Sequence, residues 1–369
     1  MTRQAQSNRK RIAVGLSGGI DSAVTAALLL REGHEVCAVT MQFWTGRIKL
    51  QPNGRAACFG PGEAEDIDAA RDVASFLGIP HKVIPLAEEY EEKVLNYYRR
   101  EYLAGRTPNP CIVCNALVKF GALWDSLERF GINCDWLAMG HYAQVDHDAV
   151  TGMFRLRQGI DASKDQSYFL HRLNQSQLAR ILLPLGARLK CDVIAEAKNL
   201  GIPRVTDKPE SQDFIESDDH AALFDVRKIR PGPIVDADGK VIGTHRGLIH
   251  YTIGQRDGLG ICAGQRMYVK EIRTDTNTII IAERDDMFRP EAEVTDVHWI
   301  RGTPPEKEGK EFTCLVRLRY RHTGAQAKVT LADEKRARIV FNEPQFAVTP
   351  GQAAVFYHDD EVLGGGWIL

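Results

Sequence analysis

Two segments of this 369-residue chain carry residue types that do chemistry at workable spacing. The first is Val14-Gly15-Leu16-Ser17-Gly18-Gly19-Ile20-Asp21-Ser22. Adjacent glycines let backbone amides approach an anion closely, and Ser17 and Ser22 offer hydroxyl donors to phosphate oxygens. Asp21 inside such a loop reads as a magnesium contact or as an orienter of the loop. The string lacks the Gly-Lys-Ser/Thr ending of a Walker loop and the third glycine of a dinucleotide fold. The second segment is Arg106-Thr107-Pro108-Asn109-Pro110-Cys111-Ile112-Val113-Cys114-Asn115. Its prolines predict a shaped loop presenting two thiols. Cys-x-x-Cys spacing serves a metal, a redox disulfide or one activated thiolate, and a helix starting after Asn115 would favour thiolate at Cys114. Plainer readings exist for both segments: a strand–helix turn with Asp21 as cap, and two small buried hydrophobes.

These segments need elements to position them. Apolar runs at Ile12–Leu16, Val36–Met41, His81–Pro85 and Trp136–Met139 alternate with helical spacing over Ser22–Arg31, Ala64–Leu77, Glu88–Leu103 and Asn115–Phe130. That alternation predicts an α/β domain with a parallel sheet covered on both faces, and ligands beyond the carboxyl ends of its strands. The glycine string follows the first strand and opens the first helix, whose positive end adds to anion binding. Further helices are expected over Gln175–Leu183 and Cys191–Leu200. After Pro203 the texture changes to short strands, Val241–His245 and Leu248–Thr252 among them. Then Phe312–Tyr320, Ala327–Leu331, Ala337–Phe341 and Ala353–Tyr357 alternate with turn residues, the pattern of a small antiparallel β-barrel or sandwich. The expected division is an α/β domain over 1–210, a small central domain over 211–290 and a β-barrel domain over 291–369.

Composition narrows the class. With 44% hydrophobic and 26% charged residues the chain reads as globular rather than disordered. No apolar run is long enough to cross a bilayer, and the opening MTRQAQSNRKR lacks the apolar stretch of a secretion signal. No membrane partner is expected. The 47 Lys and Arg against 49 Asp and Glu make no bulk polycation, so a nucleic-acid partner would be met by local basic patches. Eight irregularly spaced cysteines predict a reducing, cytoplasmic setting rather than a disulfide framework.

Further motifs follow in order: Gly140-His141-Tyr142-Ala143, Lys164-Asp165-Gln166-Ser167-Tyr168-Phe169-Leu170, Tyr251-Thr252-Ile253-Gly254-Gln255-Arg256 with Gly258-Leu259-Gly260, Arg319-Tyr320-Arg321 and Val348-Thr349-Pro350-Gly351-Gln352. With Ser17–Ser22, Thr107–Pro110 and Cys114-Asn115, they resemble the bacterial tRNA-specific 2-thiouridylases over nearly the whole chain. The resemblance implies an ATP-pyrophosphatase fold of the adenine nucleotide alpha hydrolase type, then a small tRNA-binding domain and a β-barrel. It implies adenylation of O2 of the wobble uridine, then sulfur transfer to C2 with release of AMP and pyrophosphate. ATP and Mg2+ are the implied cofactors. tRNA, rather than DNA, is the implied partner, with a sulfur donor that is either a persulfide carrier or free sulfide.

By the same resemblance Gly15, Leu16, Ser17, Gly18, Gly19, Ile20, Asp21 and Ser22 hold ATP, Met41 packs on the adenine and Gly140 lines the nucleotide site. Cys114 is the implied catalytic nucleophile. Asn109, Pro110 and Cys111 match the segment that meets the target base, while His141, Lys164, Asp165, Gln166, Arg319, Tyr320 and Gln352 match tRNA contacts. Local chemistry offers plainer roles. Asp165 would cap the helix that buries Tyr168–Leu170, Arg319 and Arg321 would share a solvated strand face, His141 would be a structural donor and Met41 core.

The chain departs from the family pattern in its cysteines. The family's second cysteine, which carries the persulfide, falls at Ile215, and many members have Asp where this chain has Cys111. Two schemes stay open. Cys111 and Cys114 form a persulfide and disulfide pair by themselves, or Cys58, Cys111 and Cys114 hold a four-iron (4Fe-4S) cluster whose remaining iron takes the sulfide. Cys37, Cys134, Cys191, Cys262 and Cys314 read as structural. The rival functions are an ATP-pyrophosphatase that delivers nitrogen, which has no use for the loop thiols, and a nucleotide- or RNA-binding protein that releases no pyrophosphate.

Overall fold

Strand β1 (Arg11–Gly15) is buried from Ile12 onward, as an unbroken apolar run must be in a sheet covered on both faces. In the computed structural model, which describes residues 9–51, 57–203, 213–261 and 266–369, β1 lies at the centre of a five-stranded sheet. Cys262 and the Asp207–Gln212 stretch lie outside the described residues. The order is β4 (His81–Pro85), β2 (Glu35–Gln42), β1, β5 (Trp136–Ala138), β8 (Ile181–Leu182), and every pairing is parallel. Helices α1 (Ile20–Arg31) and α2 (Glu63–Leu77) pack onto it, with Val14, Ala26, Leu28, Val36, Ala70, Val73 and Ala138 in one core. Strands β3 (Ala57–Phe59) and β9 (Asp213–Ile215) form a separate parallel pair. An antiparallel hairpin, β6 (Ala143–Asp148) and β7 (Met153–Gln158), follows β5.

These elements belong to a unit comprising Met1–Lys93, Cys111–Asp218 and Asp360–Val362. The second unit, Val94–Pro110, Asp219–Asp359 and Leu363–Leu369, holds two sheets. One is four-stranded, with β10 (Gly232–Val235), β11 (Val241–His245), β12 (Tyr268–Arg273) and β13 (Thr278–Ala282) in the order β11-β10-β13-β12. The other runs through β14 (Phe288–Trp299), β17 (Ala337–Phe346), β16 (Ala325–Leu331), β15 (Glu311–Arg317), β18 (Ala353–His358) and β19 (Glu361–Ile368). It closes by pairing β14 with β19, which leaves no free edge and makes a barrel. Strand β16 alternates in the way such a wall requires, with Ala325, Ala327, Val329 and Leu331 inward.

Several expectations need correction. The helix expected over Gln175–Leu183 ends at Leu178, because Ile181 and Leu182 are used as the edge strand beside β5. A short apolar pair fits either element, and pairing with the sheet decides. Leu248–Thr252 is not a strand but contains a single 3-10 turn, Leu248–His250. The strand expected over Phe312–Tyr320 stops at Arg317, so Arg319 and Tyr320 lie in a turn closed by the His322 amide donating to the Arg319 carbonyl at 3.0 Å. Cys191 is exposed rather than set in an apolar context. No helix of the described residues is long and apolar enough to cross a membrane.

Candidate active site

The glycine string is shaped by close approach. Gly18 has φ of +74°, and a Cβ there would stand 2.8 Å from Ala69 Cβ and 2.9 Å from the Asp66 carbonyl oxygen. At Gly140, after β5, a Cβ would come within 2.9 Å of the Asp21 carbonyl carbon and 3.0 Å of the Ser22 amide nitrogen. Only glycine lets that turn pass so near the start of α1. Gly19 occupies the N-cap of α1 without any side-chain cap, so the first amides of the helix point out uncovered. Ser22 Oγ accepts from the Ser17 amide at 3.2 Å, lies 3.3 Å from Ser17 Oγ and donates to the Gly19 carbonyl at 3.0 Å. Leu16 and Ile20 flank this turn, and Met41 is half-buried near the end of the neighbouring strand β2.

Asp21 does not cap α1. Lys190 Nζ donates to both of its oxygens at 2.7 and 2.8 Å, and the Tyr142 hydroxyl donates to Oδ1 at 2.8 Å. The carboxylate is held as an orienter, with a 9% exposed lysine beside it. Lys190 escaped the sequence reading, for one lysine at the start of a helix carries no signal of its own.

The cysteine pair does not lie in a loop. A helix begins at Pro110, the first position, where a missing N–H costs nothing, and both thiols sit in its opening turns. Pro110–Cys114 is α-helical, Asn115–Ala122 π-helical, Leu123–Leu127 α-helical again and Glu128–Phe130 3-10. The expected low thiol pKa at Cys114 fails with the loop. Burial pushes the Cys114 thiol up to about 12, against a partial pull downward from Lys119. Burial pushes Cys111 up to about 12 as well, with Cys58 adding to the rise. Cys58, exposed on β3, acts electrostatically on both, so three sulfurs and Lys119 share one neighbourhood.

An aromatic wall stands beside them. Tyr90 is 2% exposed, stacks on Phe43 with centroids 4.3 Å apart and on Phe59 at 5.3 Å, and feels all three cysteines. Glu63 ties down the chain after β2, accepting from the Phe43 and Trp44 amides at 2.7 and 2.8 Å, and burial raises its pKa. Phe59 pairs in register with Ile215, and both are buried. Cys58 therefore points from the opposite face of the ribbon whose other strand carries the position of the family's second cysteine. His141 is pushed down to about 3, first by burial and then by Lys119, and its Nδ1 is buried without a partner. No three His, Cys, Asp or Glu among the described residues are drawn together to grip a single metal ion, Cys58, Cys111 and Cys114 included.

The remaining implied site residues divide between the units. In the first, Asp165 is 3% exposed, and its oxygens accept from the Gly159 and Ser167 amides, each at 3.1 Å, from Ser167 Oγ at 3.0 Å and from Gln158 Nε2 at 3.2 Å. Gln166 is joined to Tyr142 twice, accepting its amide at 3.0 Å on Oε1 and donating to its carbonyl at 2.8 Å. Lys164 is half-buried in the same turn. In the second unit Gln352 Nε2 donates to the Thr107 carbonyl at 2.9 Å, and the Thr107 amide donates to Pro350 at 2.9 Å. Gly351, at φ of +88°, lets the two segments touch, since a Cβ would lie 2.9 Å from the Thr107 nitrogen. This clamp fixes the segment that ends in Asn109 and Pro110. Arg319 is exposed and Tyr320 half-buried in their turn.

Known proteins share this organisation. Residues 10–216 match the family described as tRNA methyl transferase HUP domain, 222–283 the tRNA methyl transferase PRC-barrel domain and 289–368 the aminomethyltransferase beta-barrel domain. A Carboxydothermus hydrogenoformans protein named tRNA-specific 2-thiouridylase MnmA is 42% identical over 367 residues, covering 98% of both chains. Proteins of the same name from Geobacter metallireducens and Acetivibrio thermocellus are 42% and 39% identical, covering 100% and 98% of this chain and 98% and 99% of their own. At that identity and coverage, this chain belongs to the tRNA-specific 2-thiouridylase family.

Proposed function

We propose that the protein uses ATP to replace O2 of the wobble uridine of tRNA by sulfur. The observation that carries this reading is the gathering of Cys58, Cys111 and Cys114 around Lys119, in the same unit that opens α1 toward a phosphate. Uridine O2 is a poor leaving group. Its attack on the α-phosphate of ATP forms the O2–AMP bond, expels pyrophosphate and gives up the N3 proton. The uncovered amides of α1 and the hydroxyls of Ser17 and Ser22 suit the phosphates, with Lys190 beside Asp21 adding a positive charge there. Mg2+ would join on the phosphate oxygens and neutralise the departing pyrophosphate. The base must leave the anticodon stack, and Asn109 and Pro110, held by Gln352, are suited to meet it. His141, Lys164 and Gln166 on one unit and Arg319 and Tyr320 on the other offer contacts to tRNA. Asp165 serves by holding the Lys164–Gln166 turn, because its own oxygens are already engaged.

The sulfur then adds to C2, the C2–O bond breaks with its electron pair leaving on AMP, and N3 regains a proton. Thiols pushed up to about 12 are poor nucleophiles at neutral pH, which disfavours Cys111 and Cys114 working as an unaided pair. A metal centre removes the difficulty, since ligation deprotonates a thiol outright. A cubane spreads its cysteines over separate irons, so three thiols in electrostatic reach, without the tight grouping a single ion needs, suit it. A 4Fe-4S cluster held by Cys58, Cys111 and Cys114 would supply one open iron for sulfide.

The test is tRNA incubated with anaerobically purified protein, ATP and sulfide, followed by mass analysis of nucleosides and by iron and sulfide quantitation. ATP-dependent 2-thiouridine is expected. Its absence sinks the reading, and a nitrogen-bearing product would point to an amidating enzyme. Thiolation by iron-free protein would sink the cluster, and thiolation from a persulfide donor but not from sulfide would restore the two-cysteine persulfide scheme.

A further inference from the structure

The helix that carries Cys111 and Cys114 widens directly after them, where Asn115–Ala122 forms an eight-residue π-helical stretch between two α-helical segments. π-Helices are rare, usually a single turn, and concentrate at functional sites. The widening changes which side chains share a face. An α-helix turns about 100° per residue, so Lys119, five places after Cys114, would lie about 140° round from it, on the far side. With hydrogen bonds spanning i to i+5, a residue instead stacks near its fifth successor. Cys111, three places before Cys114, is already on that face. Lys119 is thereby turned toward the thiols. The charge pattern agrees, because Cys114, Cys58 and Cys111 are the groups whose charges act on it, and no carboxylate is among them.

The wide turn is braced. Gln177, 7% exposed, donates Nε2 to the carbonyls of Ala116 at 2.8 Å and Phe120 at 3.1 Å, both inside the π stretch. Its Oε1 accepts from the Asn174 amide at 3.0 Å, and its own amide donates to Asn174 Oδ1 at 2.9 Å, so the side chain is fixed at both ends. Gly121 fits the same arrangement, since a Cβ there would crowd the Ala116 oxygen at 3.1 Å.

A half-buried ammonium whose charged neighbours are cysteines, with no carboxylate among them, is costly until an anion meets it. We propose that Lys119, held on the cysteine face by the π turn that Gln177 braces, is a positioning residue that binds the transferring sulfur as an anion beside Cys58, Cys111 and Cys114. The inference rests on the thiolation reading and adds the residue that holds its sulfur substrate. No redox partner is needed: hydrosulfide adds to C2, the C2–O bond breaks onto AMP, and the proton from sulfur passes to N3. Lys119 gives up no proton in this step and serves only to hold the anion.

The full-length enzyme is assayed for 2-thiouridine with tRNA, ATP and varied sodium sulfide, and separately for tRNA-dependent pyrophosphate release without sulfide. In K119M the KM for sulfide rises about 10- to 100-fold, the scale of one charge-assisted contact. Pyrophosphate release continues and certifies a folded enzyme. Q177A raises the same KM by a smaller factor. An unchanged sulfide KM in K119M overturns the proposal, and an unchanged KM in Q177A overturns the bracing. Loss of pyrophosphate release in step with thiolation would assign Lys119 to nucleotide chemistry and overturn it as well. Failure of the wild-type enzyme to make 2-thiouridine strikes the thiolation reading instead, so the two failures are told apart.

Discussion

Two helix starts, those of Ile20 and Pro110, are built in opposite ways for the negative charge that the proposed reaction would bring to them. At α1 the backbone does the work: glycines bring the chain close, no side chain caps the helix, and the amides stay open. At Pro110 the first position has no amide to offer, the two thiols are pushed up to about 12, and a lysine is brought round from later in the helix. A phosphate keeps its charge anywhere, so open amides suffice for it. A sulfur anion must be maintained against protonation, and that takes a full positive charge or a metal.

If the division of labour is right, Cys114→Ala cuts 2-thiouridine formation by at least about a thousandfold while tRNA-dependent pyrophosphate release survives, the pattern of a lost sulfur-transfer group. Equal loss of both reactions would merge the two regions. Lys190→Met tests the other side. It strips the cation from Asp21 and should slow pyrophosphate release about 10- to 100-fold, as removal of a charge-assisted contact does. A smaller effect is expected for Gly140→Ala, which drives a methyl into the backbone of Asp21 and Ser22 at 2.9 and 3.0 Å. About 1–3 kcal/mol of stability should be lost in thermal unfolding, with weaker ATP binding.

The last effect is absent at neutral pH and appears only on acidification. His141 is neutral in the fold, its pKa lowered from 6.5 to about 3, so the unfolded chain takes up the proton first. Stability is therefore unaffected above that ordinary value and declines on acidification between 6.5 and about 3. The slope from this residue is at most about 1.4 kcal/mol per pH unit. Denaturant titrations across that window should flatten in His141→Gln, and an unchanged slope would mean that the imidazole already titrates freely in the native state.

The same contrast explains what could be read in advance. Ser17–Ser22 between a strand and a helix was legible because its chemistry is local: Gly18 sits at positive φ and Gly19 at an uncapped N-terminus. Cys58 was expected after the second strand; it lies on a short strand of its own, β3, and acts electrostatically on Cys111 and Cys114. The helix beneath the cysteines was not legible, since prolines before a thiol pair describe a loop as well as a helix start. Nor was Lys119, because the ordinary 3.6-residue period places it opposite Cys114. Its position depends on Gln177, some sixty residues later in the chain, and no local pattern announces such a bond. Lys190 reaches Asp21 across a still longer separation, 169 positions. Arg319 and Tyr320 read as strand because aromatic and charged residues alternate there, whereas the chain had already turned.

Tyr142 has one more consequence. Its phenol grips Asp21 beside the nucleotide loop, while its backbone is stitched on both sides to Gln166. One rigid residue thus links the glycine loop to the Lys164–Gln166 turn. Whatever fixes Asp21 therefore also fixes the ring whose backbone anchors Gln166, with no lid between them.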